Sequence, residues 1–175
     1  MEWLLFTYWL PTEPSRKRVF VWRRLKKAGA LSIEGTGWLL PKTEPSSARI
    51  AEIARTVEEM GGTTNLFVAS DVTEEQAQRT VARFREERER EYGEVAKECQ
   101  KALRHIEREL EQQEFSFEEV EELEGDLEKI RRWLSEVKER DFWDCPARHG
   151  VERLIGEVEA RLAAFTQETY DRLHQ

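Results

Sequence analysis

Residues 3–41 read WLLFTYWLPTEPSRKRVFVWRRLKKAGALSIEGTGWLLP. Three kinds of pattern follow one another in this stretch, and their order decides the fold. WLLFTYWL, residues 3–10, is a short aromatic and aliphatic run closed by Pro11, which predicts a buried strand. PTEPS supplies turn residues, with Pro14 suited to the first turn of a helix and Thr12 or Ser15 placed to cap it. From Ser15 a helix is expected with Val19, Trp22 and Leu25, continued by Ala28, as its inward face; Gly29 stops it. ALSIEGTGWLLP, residues 30–41, holds two short β-prone runs around EGTG, a hairpin signal, and Pro41 ends the second run.

Beyond this stretch, PSSARIAEIARTVEEMGG (residues 45–62) is an amphipathic helix, with Ile50, Ile53, Val57 and Met60 on one side and glycines after it. TTNLFVAS (63–70) is the last strand. The order strand, helix, strand, strand, helix, strand is that of a split βαβ unit. The expected fold class is therefore α+β, opening with a ferredoxin-like βαββαβ domain over residues 1–72. Both of its helices are expected on one face of a four-stranded antiparallel sheet.

Residues 73–175 change character. Thr73 with Gln76 forms a capping box that opens a long helix. Apolar or small residues at Ala77, Val81, Phe84, Tyr92, Val95, Cys99, Leu103, Ile106 and Leu110 carry it to about residue 112. Ser116 with Glu119 forms a second capping box, before a seam of Val120, Leu123, Leu127, Ile130, Leu134 and Val137. RDFWDCPARHG (140–150) breaks the pattern as a loop. Val151, Leu154, Val158, Leu162 and Phe165 form a third seam. Three amphipathic helices with short connections predict an antiparallel three-helix bundle or helical arm over residues 73–175. The sequence has no internal repeat and no low-complexity tract.

Charge is distributed unevenly. The 175 residues carry a formal net charge of −8, with 37% charged residues. Residues 1–49 hold nine Lys and Arg against four Asp and Glu, a local net of +5, whereas residues 50–175 hold 19 against 32, a net of −13. Seven of the basic residues lie between 14 and 31: Arg16, Lys17, Arg18, Arg23, Arg24, Lys26 and Lys27. Lysine and arginine bind phosphate through charge, and arginine adds bidentate geometry toward phosphate or guanine. These seven are the candidate DNA-binding residues. The competing reading is a solvated helix face whose charges pair with the acidic helices. Net −8 excludes the global positive field of a typical nonspecific DNA binder, so contact with DNA has to be local, dimeric and salt-sensitive.

WLLFTYWLP, then PSRKRVFVWRRLKKAGAL, then GTGWLLP, and much later RDFW, together resemble the amino-terminal domain of ChrB-type chromate-resistance regulators. The match runs in order along nearly the whole chain. Its most specific part is Arg18-Val19-x-Val21-Trp22-Arg23-x-Leu25-x-x-x-Gly29-Ala30 combined with Leu39-Leu40-Pro41. The resemblance implies a transcriptional regulator of a chromate-efflux operon that contacts double-stranded promoter DNA through its amino-terminal part. Family members continue into a carboxy-terminal domain linked to chromate sensing. That effector domain, or a partner protein, is expected outside this chain, so the resemblance implies no chromate site here. The ferredoxin-like portion is also similar to the middle domain of PaaX-type repressors and to small CRISPR integration nucleases.

Other chemistries are poorly supported by the residues. The aromatic residues Trp3, Phe6, Tyr8, Trp9, Phe20, Trp22 and Trp38 could stack bases on an open sheet, but core and dimer packing explains them better. A homodimer is expected. Nuclease activity needs a metal-holding carboxylate near the end of the first strand, and WLLFTYWLP has none. No catalytic residue and no cofactor is assigned, and the chain is read as a non-enzyme. Asp141, Asp144, Cys145 and His149 in the 140–150 loop are a weak metal constellation and are read as a structural elbow; Cys99 and His105 are read as packing and surface residues. No metal site is assigned. Arg140, Arg148 and Arg153 flank the loop as candidate anion-binding residues, with salt bridges to the abundant neighbouring glutamates as the better-supported reading. No apolar run is long enough to span a membrane, and two cysteines in no metal or redox motif suit a reducing cytoplasm. The alternative to a DNA-binding regulator is a non-enzymatic protein-interaction or oligomerisation module without direct DNA contact.

Overall fold

The computed structural model describes residues 1–174. Nine elements follow in order: β1 (Glu2–Trp9), α1 (Ser15–Lys27), β2 (Leu31–Ile33), β3 (Gly37–Pro41), α2 (Glu44–Glu59), β4 (Thr63–Ser70), α3 (Glu74–Gln112), α4 (Phe117–Glu139) and α5 (Ala147–Leu173). They form two compact units, Met1–Phe84 and Arg85–Gln175.

In the first unit the four strands make one antiparallel sheet in the order β2-β3-β1-β4. The two inner strands carry the most apolar runs, because only they are flanked on both sides. Trp3, Leu4 and Phe6 of β1 and Trp38, Leu39 and Leu40 of β3 are all buried. In the register Leu4 lies opposite Leu40 and Val68, and Leu5 lies opposite Leu39 and Phe67. Alternation then puts Trp3, Leu5, Thr7 and Trp9 on one face with Phe67, and Leu4, Phe6 and Tyr8 on the other. The first turns of α3 belong to this unit: Ala77 and Phe84 are buried, and the Phe84 ring stacks on Trp3.

Both early helices end in the same way. The N–H of Gly29 bonds to Lys26 O and that of Ala30 to Leu25 O. The N–H of Gly61 bonds to Glu58 O and that of Gly62 to Val57 O. These are two Schellman motifs, with Gly29 (φ 81°) and Gly61 (φ 83°) in the left-handed region that glycine enters without Cβ strain. Gly62 has a different reason to be glycine. A Cβ there would lie 2.7 Å from Val57 Cγ1 and still closer to the Trp9 carbonyl, because α2 and β1 meet at this point. At its start α2 is capped by Thr43, whose side chain accepts from the Ser46 N–H at 3.2 Å. For α1 the expected Thr12 or Ser15 cap does not form. Pro14 occupies the N-cap with no side-chain hydrogen bond.

The expected inward face of α1 is also corrected. Val19 and Trp22 are 45% and 49% exposed, whereas Val21, Leu25 and Ala28 are buried. The reason is geometric. Steps of three residues drift by about 60° each on a helix, so a 19-22-25-28 series turns through about 180° and its first two members leave the buried side. Residues 21, 25 and 28 stay within about 60° of one another.

In the second unit the remainder of α3 packs with α4 and α5 around one core. Tyr92, Val95, Cys99 and Ile106 come from α3, and Val120, Leu123, Leu127, Ile130, Leu134 and Val137 from α4. From α5 come Val151, Ile155, Val158, Leu162 and Phe165, so Ile155 replaces half-buried Leu154 in the expected third seam. The capping signals are realised. Thr73 Oγ1 accepts from Gln76 N–H, and Ser116 Oγ accepts from Glu119 N–H, each at 3.2 Å. The expected loop at 140–150 is shorter than predicted. Pro146 is the N-cap of α5, and Ala147 to Gly150 are already helical, because proline loses nothing where a helix has no N–H partner. Among the described residues no helix is long and apolar enough to cross a membrane.

Candidate nucleic-acid interface

The seven basic residues of 14–31 divide according to which side of α1 they occupy. Lys17 and Arg24 lie on the flank next to α2 and are half-buried. Lys17 Nζ donates to the Met60 carbonyl at 2.9 Å. Arg24 donates to Glu52 and, at 3.4 Å, to Thr56, and its guanidinium sits 5.7 Å from the Phe20 ring centroid. These two cations are engaged in holding α1 to α2. Lys26 is half-buried and Lys27 exposed, and each has an interaction of its own.

Arg16, Arg18 and Arg23 are exposed. Arg16 and Arg23 make no ion pair within their unit, and Arg18 lies near Tyr8, whose hydroxyl is pushed above its usual pKa by burial, an effect the arginine partly opposes. Interleaved with them are the exposed apolar residues Val19, Phe20 and Trp22. The outer face of α1 thus carries the Arg16 and Arg23 guanidinium groups with Val19 and Phe20 and, at its edge, Trp22, while Arg18 lies on the other side of the helix toward Tyr8. Such a surface is suited to phosphate contact by charge and to stacking or wedging by ring. The inward-face expectation missed this, since it placed Val19 and Trp22 in the core. Of the other aromatics, Trp3, Phe6 and Trp38 are buried, Tyr8 is half-buried and Trp9 is 60% exposed.

Arg140, Arg148 and Arg153 are not brought together as an open anion cradle. Arg140 is buried, with Nε and Nη2 on Glu91 at 3.1–3.2 Å and Nη1 donating to the Glu136 carbonyl at 2.6 Å. Arg148 donates to Glu152 at 3.0 Å and to Asp144 at 3.1 Å. Arg153 is exposed. Glu152 also accepts from Lys138 at 2.8 Å, and these two donors hold its carboxyl down to about 2.

The loop constellation disperses in a similar way. Asp141 Oδ2 accepts from Tyr92 Oη and from Cys145 N–H, each at 2.9 Å. Burial and this carboxylate raise the Tyr92 hydroxyl well above its usual pKa. Cys145 is buried, and His149 points toward Glu152. Both cysteines are free. Among the described residues, the sets with metal-ligand spacing instead centre on His105, expected to be a packing or surface residue.

Compared with known proteins, residues 18–175 match the family described as Protein ChrB, N-terminal. No curated protein and no solved structure matches the chain.

Proposed function

The chain belongs to the ChrB amino-terminal family, related to chromate-resistance regulation, and from that membership we propose that it is a DNA-binding module of such a regulator. The observation that carries this reading is the outer ridge of α1, where Arg16 and Arg23 stay exposed beside Val19, Phe20 and Trp22. Each phosphate met by such a cation releases counterions, so affinity falls steeply with salt. Element order and strand order support reading the first unit as ferredoxin-like, and the shared core supports reading α3 to α5 as an antiparallel bundle.

The same proposal includes a homodimer. β4 is an edge strand with Leu66, Phe67 and Val68 45–56% exposed, and none of its eight residues is charged. Edge strands in monomers are normally protected by charge or proline. Antiparallel pairing of β4 with the β4 of a second copy would set no like charges opposite one another, and would cover these side chains. A non-enzymatic, cytoplasmic role fits the same picture: the end of β1, Trp9 to Pro11, has no carboxylate, and the two thiols are free and buried.

A second reading is favoured by the apolar part of the ridge. Val19, Phe20 and Trp22 would equally suit a protein partner, making this an interaction module without DNA contact. A gel shift on the DNA upstream of its own gene, run across a salt series, separates the two. The regulator reading expects a retarded, salt-sensitive complex lost in the Arg16→Ala, Arg23→Ala double variant. An interaction module gives no shift.

A further inference from the structure

We propose that His105, Glu109 and Glu119 form a binding site for a divalent transition-metal ion. The site lies wholly within the second compact unit and does not rest on the DNA-binding reading. His105 and Glu109 are one turn apart on α3, and Glu119 stands in the first turn of α4. His105 Nε2 is 3.4 Å from Glu109 Oε1 and 3.2 Å from Glu119 Oε2. Donors about 2.1 Å from a shared ion stand ~3.0 to ~3.4 Å apart in octahedral or tetrahedral geometry. The Glu119 separation falls in that range before any ion is added, and a donor atom of each of the three residues lies within 4.8 Å of the other two.

Burial supplies the second, independent observation. The Glu109 side chain is 2% exposed, and its Oε2 has no hydrogen-bond partner among the described residues. Glu119 Oε2 also has no hydrogen-bond partner among the described residues, although the rest of that side chain is 31% exposed. An uncompensated carboxylate oxygen at such depth is costly, and an imidazole N–H can point at only one acceptor. A divalent cation would use the imidazole lone pair and both carboxylates, and would offset two negative charges. Arg108 Nε and Nη2 donate to Glu109 Oε1 at 3.0 and 2.7 Å, which offsets part of its charge, orients the carboxylate and leaves Oε2 as its ligand atom.

The donor set selects the ion class. One imidazole and two carboxylates without thiolate suit Zn²⁺, Mn²⁺, Fe²⁺ or Co²⁺ rather than Cu⁺. A second set, His105, Glu122 and Asp126, shares the histidine. Its Glu122 is exposed and its Asp126 side chain is 42% exposed, so the deeper set is the better site.

The test uses the whole 175-residue chain, stripped with a chelator and titrated with Co²⁺ and then Zn²⁺. The expected result is a visible d–d band saturating at one Co²⁺ per chain, displaced by Zn²⁺, with a higher melting temperature in the presence of Zn²⁺. His105→Gln and Glu119→Gln, both at partly exposed positions, should keep the circular dichroism spectrum and weaken uptake about 100-fold; Arg108→Ala should weaken it about tenfold. Glu109→Gln is informative only alongside these, since its position is buried. Absence of a band up to millimolar Co²⁺ overturns the proposal. So does uptake that survives both His105→Gln and Glu119→Gln, because the ion would then sit on other carboxylates.

Discussion

Trp3 of β1 and Phe84 of α3 lie ring on ring, with centroids 5.6 Å apart and planes within 2°. The Trp3 indole N–H is also satisfied, donating to Asp71 Oδ2 at 2.6 Å. A side chain eleven residues into α3 therefore completes the core of the sheet unit. Phe84→Ala should destabilise the first unit by about 3–5 kcal/mol. The checks are chemical denaturation and a red shift of tryptophan emission as Trp3 gains water. An unchanged midpoint would mean that the stacking contributes nothing.

The two sides of α1 should behave oppositely on mutation. Arg16→Ala with Arg23→Ala should leave the melting temperature within error and weaken DNA binding. The slope of log affinity against log salt should become shallower by about 0.9 per phosphate contact removed. Arg24→Ala should cost up to about 1 kcal/mol of stability, since its pair with Glu52 is partly exposed. Equal effects on DNA affinity from both sides would refute the assignment of the ridge.

Self-pairing through β4 predicts a dimer that one lysine can divide. Phe67→Lys places two like charges near the two-fold centre of a β4–β4 seam, and sedimentation should then report monomer at concentrations where the parent chain is dimeric. A parent chain that is monomeric at high concentration would remove the homodimer from the proposal.

Acid should act through Glu152. Its carboxyl is lowered from 4.5 to about 2 by the hydrogen bonds from Lys138 and Arg148. A depressed folded-state value means that this contribution is present above about pH 4.5 and is lost as pH falls toward about 2. Glu152→Gln should flatten that segment of the stability–pH curve, and added salt should shrink the difference because the site is partly solvated. Urea midpoints at pH 5 and pH 3 for both proteins supply the check.

The two thiols should be silent while the fold is intact. Burial pushes Cys99 up to about 11 and also raises Cys145. A thiol-disulfide reagent at pH 8 should react slowly with the native chain and fast, with two equivalents, in denaturant. Fast native labelling would contradict the buried placement of both.

Much of the organisation was legible along the chain. The seam of α4 is buried at all six expected positions, because consecutive spacings of three and four keep one face inward. The Ser116 cap appears where the capping box put it. What failed was information held between elements. Val19 and Trp22 look like core by residue type, although the spacing of Val21, Leu25 and Ala28 already marks the side of α1 that packs inside. His105 looked like a surface residue because the carboxylate that faces it from α4, Glu119, lies fourteen positions away across a helix–helix turn. The i, i+4 spacing of His105 and Glu109 was the one local signal available. The abundance of glutamates makes ion pairs of Arg140 and Arg148 expected, but the chain does not say that the partners are Glu91 and Glu152.

Gly62 has a consequence for anyone reshaping this molecule. The backbone of Trp9 and the Val57 side chain already fill the volume into which any Cβ would project. Randomised libraries covering this junction should return glycine and little else, so a screen there measures tolerance of the scaffold and not the chemistry it presents. Diversity is better spent on the outward side of the first helix, where added atoms meet only solvent.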